Sequence, residues 1–78
     1  MNRVVNIAGY KFVELHGLDS LREKILSQCQ KNELKGSVLL SKNGINFFLA
    51  GSQKSIDTFL SLLNGDPRLS EIPIKFSY

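Results

Sequence analysis

Apolar residues along this chain switch between strand-like alternation and helix-like recurrence, and the order of the switches restricts the fold more than any other feature. From Val4 to Val13, Val, Ile, Tyr and Phe crowd together without a helix cap or a proline, which predicts a long strand. Val5 and Ile7 share one face of it, and Asn6, Ala8, Tyr10 and Phe12 share the other, because side chains alternate along a strand. Gly17 breaks the pattern. Asp19 or Ser20 can then cap a helix, with Ser20 and Glu23 at capping-box spacing. Leu18, Leu21, Ile25, Leu26 and Cys29 follow at helical spacing and leave Arg22, Glu23, Lys24, Gln28 and Lys31 for water, with the helix ending near Leu34–Gly36.

Ser37–Ser41 and Ile45–Ala50 are short β-prone runs on either side of Lys42-Asn43-Gly44, and Asn-Gly is a strong hairpin signal because both residues tolerate positive φ. Gly51 is expected to stop that strand and Ser52 to cap a second helix, in which Ile56, Phe59, Leu60 and Leu63 recur on one face. Asn64-Gly65-Asp66-Pro67 ends it, and Ile74–Tyr78 reads as a last strand. The order β-α-β-β-α-β predicts an α+β ferredoxin-like sandwich over residues 1–78, with two helices on one face of a four-stranded antiparallel sheet in strand order 4-1-3-2. Ending on a strand without a polar tail, the chain reads as part of a longer protein.

Composition narrows the function. A chain of 78 residues builds one modest core and has little material left for lids or a deep pocket, so a complete enzyme is not expected. Ten Lys and Arg against seven Asp and Glu give +3, a mild bias towards an anionic partner. Cys29 is the single cysteine, which excludes an internal disulfide, and with His16 it supplies too few ligands for zinc. The longest apolar run is Phe47–Ala50, so neither a secretory signal nor a membrane span is expected and the chain reads as cytoplasmic.

The segment Gly36-Ser-Val-Leu-Leu-Ser-Lys-Asn-Gly-Ile-Asn-Phe-Phe-Leu-Ala-Gly51 resembles the Gly-Ile-Asn hairpin of the rhodanese-related tRNA uridine hydroxylases. Val5–Phe12, Leu21-Arg22-Glu23, Ile56-Asp57-x-Phe59-Leu60 and Asp66-Pro67-Arg68 extend the likeness over nearly the whole chain, which is similar to the family's N-terminal acylphosphatase-like domain. The resemblance implies oxygen-dependent hydroxylation at C5 of the wobble uridine of tRNA, with molecular oxygen as co-substrate and the reactive cysteine in a following rhodanese domain. It therefore implies no catalytic residue and no cofactor in this stretch. Lys42-Asn43 departs from the family's usual Pro-Glu before Gly-Ile-Asn, which puts any role of that acidic position in doubt.

Cys29 lies late in its helix, where the dipole disfavours a thiolate, and reads as a buried structural thiol. His16 has no partner at a meaningful spacing and reads as a solvated loop residue. Acylphosphatase chemistry needs a glycine-rich loop with an arginine after the first strand, and Glu14-Leu15-His16-Gly17 supplies neither.

The more informative constellation is the helix-free sheet face. There Tyr10 and Phe12 are expected beside Asn46 and Phe48, with Lys75 possible on the last strand. Aromatic residues on two central strands stack unpaired bases in RNA-recognition motifs, although the consensus of those motifs is missing here. The candidate contact face, for tRNA or for the rhodanese domain, is Tyr10, Phe12, Asn46 and Phe48, with Lys42 near the hairpin tip as a phosphate contact. Gly44 and Gly51 read as structural turn residues, and the remaining lysines as scattered, solvated surface. A regulatory or dimerisation module without RNA binding is the alternative.

Overall fold

In the computed structural model, which describes Arg3–Tyr78, the elements are β1 (Val5–Phe12), α1 (Leu18–Lys31), β2 (Lys35–Ser41), β3 (Gly44–Gly51), α2 (Gln53–Asn64) and β4 (Ile74–Ser77). All the sheet pairings are antiparallel, in the order β2-β3-β1-β4, which is the expected ferredoxin-like arrangement. Alternation places Val5 and Ile7 of β1 and Ile45, Phe47 and Leu49 of β3 beneath the helices. Leu21, Ile25 and Cys29 of α1 and Ile56, Phe59 and Leu63 of α2 close over them. The Phe47 and Phe59 rings meet edge to face at 5.4 Å, an arrangement favoured by the ring quadrupoles. Among the described residues no helix is long and apolar enough to cross a membrane.

Several local expectations are corrected. Asp19 and Ser20 lie inside the first turn of α1, and the cap is Gly17, left-handed at φ 64, with no side-chain capping bond. The helix stops at Lys31, earlier than expected, because Glu33 takes the left-handed position at φ 56 and Leu34 N–H donates back to the Cys29 carbonyl at 2.9 Å. Leu26 is exposed rather than core, since it sits one residue off the Leu21–Ile25–Cys29 stripe and only borders the groove beside β2. Gly51 does not stop β3 but is its last residue, paired with Val5. Ser52 caps α2 as expected, its hydroxyl accepting from Ser55 N–H at 3.1 Å.

The hairpin forms, but on Lys42-Asn43 rather than Asn43-Gly44, because Ser41 pairs with Gly44. The Ser41 hydroxyl accepts the Asn43 N–H, and the carbonyls of Asn43 and Lys42 accept from Val13 and Leu15. Gly44, at φ 149, opens β3 where the backbone passes so close to Lys11 that a β-carbon would sit 2.1 Å from its carbonyl oxygen.

One polar lock holds the α2–β4 connection. The Asp66 carboxylate accepts from Arg68 N at 2.9 Å, Nε at 3.1 Å and Nη2 at 2.7 Å, while Arg68 Nη1 donates to the His16 carbonyl at 3.0 Å. The Arg68 side-chain hydrogen bonds lower the Asp66 pKa from 3.8 to about 2. A carboxyl whose pKa is depressed on folding adds stability above its unfolded value, and that contribution is lost as the pH falls through the folded one. Thermal melts should accordingly show a loss of stability between pH 4 and pH 2 that Asp66→Asn diminishes. An Asp66→Asn profile as steep as the parent's would remove the lock from the account.

Candidate nucleic-acid interface

The strand phase decides which side chains reach solvent on the helix-free face. Tyr10, Phe12 and Phe48 point away from the helices and are 64%, 85% and 57% exposed, so the rings form a surface and are no part of the core. Tyr10 pairs directly with Asn46 across β1 and β3, Phe48 pairs with Ala8, and Tyr10 and Phe12 meet edge to face at 5.8 Å. Phe12 lies opposite Gly44, which has no side chain to cover it, and this explains its exposure. Between the Tyr10 and Phe12 rings and Leu39 lies a depression of about 210 Å³, lined also by Gly44 and the exposed Asn46.

Leu39, 67% exposed and paired with Asn46 from β2, belongs to the same face and was missed by the sequence reading. The alternation Val38-Leu39-Leu40 could have found it, once the turn had fixed which residues of β2 face the helices. On β4, Lys75 faces outward opposite Ala8 as anticipated. Lys42 sits exposed on the turn at the aromatic end, sharing a depression with Phe12, Glu14 and His16.

The electrostatics of the face are one-sided. Strand residues of outward phase include Lys35 and Lys75 and no Asp or Glu. Aromatic faces with lysines and no opposing carboxylate suit a planar, anionic ligand, because stacking and charge attraction then act together.

The other candidates carry no chemistry. Cys29 is buried, and burial pushes its thiol pKa up, away from the thiolate that a nucleophile requires. His16 is exposed, and its imidazole lies 3.9 Å from the Glu14 carboxylate with both side chains more than 80% exposed.

The lysines are less scattered than their spacing in the sequence suggests. Arg3, Lys31, Lys35 and Lys54 line one depression, formed where the end of α1, the start of β2 and the start of α2 converge. No stretch of sequence brings these four positions together.

Residues 4–78 match the family model of the UPF0176 acylphosphatase-like domain. Proteins named tRNA uridine(34) hydroxylase from Bordetella petrii, Cupriavidus pinatubonensis and Ralstonia nicotianae are 54%, 47% and 45% identical to the chain. The alignments cover 99%, 96% and 96% of this chain but only 31%, 27% and 27% of those proteins, so it spans about a third of their length or less. The likeness first read from Val5–Phe12 and Gly36–Gly51 thus holds over the whole chain. Among solved structures, a bacterial light-regulated adenylyl cyclase superposes with TM-score 0.80 at 15% identity, covering 97% of this chain and 23% of the cyclase. The dark-state structure of BlrB, a BLUF protein, superposes with TM-score 0.74 at 18% identity, covering 99% of this chain and 62% of BlrB. At those identities the two structures show a shared fold alone.

Proposed function

Because the chain belongs to the UPF0176 acylphosphatase-like domain family, we propose that it is the non-catalytic, tRNA-positioning part of a cytoplasmic tRNA uridine(34) hydroxylase. The observation that carries this reading is the outward set of rings, Tyr10, Phe12 and Phe48, around the Asn46 amide on a face whose strand residues include lysine and no acid. Unpaired bases stack on such rings whatever their identity, and an amide offers both a donor and an acceptor to a base edge. Bond-making is assigned elsewhere. The two residues weighed as nucleophile and base, Cys29 and His16, are respectively buried and solvated, which fits a non-catalytic part; the family resemblance implies that the reaction with molecular oxygen belongs to a rhodanese domain outside these residues.

Packing against that domain is the second role of the same sheet. Leu39 and Phe12 favour it, being apolar, 67% and 85% exposed and on one face. Titration of the isotope-labelled chain with an anticodon stem-loop at low salt tests the RNA role. The expected result is a set of chemical-shift changes at Tyr10, Phe12, Asn46 and Phe48 with the middle turns of α1 and α2 unmoved. Changes confined to the helices, or none at all, would reject the proposed face, and self-association without RNA binding would favour a dimerisation module.

A further inference from the structure

The depression at the far end of the sheet is ringed by cations drawn from separate elements. Arg3 precedes β1, Lys31 ends α1, Lys35 opens β2 and Lys54 lies in the first turn of α2. Glu33 is the one acid lining it, and none of the four cations has a carboxylate within ion-pair distance among the described residues. Four cations against one acid leave an excess of positive charge in the lining, and like charges brought close repel one another. An anionic ligand relieves that repulsion.

Two features identify the ligand. The depression borders the helix-free face, because Lys35 and Ala50 of its lining pair in the outward phase that also carries Phe48 and Asn46, while Lys31 and Lys54 reach it from the ends of the helices. Along β3, Asn46 and Gly51 are five residues apart, about 17 Å at strand rise. A single strand whose bases rest on the rings therefore reaches the cations within a few nucleotides.

We propose that this basic depression holds the phosphodiester backbone of the RNA whose unpaired bases stack on Tyr10, Phe12 and Phe48, so that the sheet has a base-reading end and a phosphate-holding end. The inference rests on the RNA reading above and adds a second, separable surface to it. Phosphate contacts release counterions and base stacking does not, so the two ends differ in their salt dependence.

The test is the affinity of the 78-residue chain for a fluorescent anticodon stem-loop from 50 to 200 mM salt, with unchanged circular dichroism as the check on folding. Combining Lys31→Gln, Lys35→Gln and Lys54→Gln is expected to reduce the slope of log affinity against log salt by about 2, at roughly 0.7 per phosphate contact on a single strand. Tyr10→Ala with Phe48→Ala should weaken binding while keeping the parental slope. Lys24→Gln, on the helix layer, should change the slope by less than about half of one unit. If the triple variant keeps the parental slope while the aromatic variant loses affinity, the phosphate site is overturned and the base-stacking face stands. Salt-independent binding by the parent overturns the phosphate site alone, and absence of any binding overturns both.

Discussion

Gly44→Ala is expected to lower the melting temperature by at least about 15 °C, or to prevent folding, whereas Gly17→Ala costs roughly 4–8 °C. Both glycines have positive φ, 149 for Gly44 and 64 for Gly17, so both substitutions introduce backbone strain. The difference lies in the space around them. A β-carbon at Gly17 meets nothing within 4 Å, while at Gly44 it lands 2.1 Å from the Lys11 carbonyl oxygen, on backbone that is itself paired in the central strands. That clash is relieved only by parting β1 from β3, the pair on which the core and the outward rings both depend. A domain of this size is held together by only about 5–10 kcal/mol, so a loss near 3 kcal/mol removes a large share of it. Thermal melts followed by circular dichroism check the contrast, and equal losses at the two positions would contradict it.

The contrast also shows which parts of the molecule are local in origin. The helical stripe of α2, its Ser52 cap and the alternation of β1 are properties of neighbouring residues, and the chain adopts them where its sequence places them. The α1 terminus is different. Glu33 occupies a left-handed position where glycine is usual, so the end of the helix carried no sequence mark. Leu15, Leu69 and Ile72 complete the core from connecting segments, where no periodicity announces burial.

The interface divides in the same way. Tyr10, Phe12, Asn46 and Phe48 were legible because one alternation rule and the antiparallel pairing of β1 with β3 fix them on one face. Leu39 required the register of β2 as well. The basic depression was beyond reach, because Lys31, Lys35 and Lys54 come together only through the packing of three elements, and a list of charges contains no distances.

Losing the rings should abolish most of the RNA affinity without unfolding the domain. Tyr10 and Phe48 are exposed on the outward side, so Tyr10→Ala with Phe48→Ala leaves the buried core residues in place and costs only the Tyr10–Phe12 edge contact and the cross-strand pairs, about 1–2 kcal/mol together. Stacking contributes about 1–3 kcal/mol per base when measured by alanine substitution, so the two rings together amount to a weakening of at least about thirtyfold. An apolar interface for another protein domain would give no such dependence on RNA. The decisive measurement is fluorescence anisotropy of a labelled anticodon stem-loop titrated with the parent chain and with this double variant. A loss of thirtyfold or more with the variant still folded at the assay temperature is the expected result, and equal affinity of the two proteins would contradict the assignment of the helix-free face to RNA.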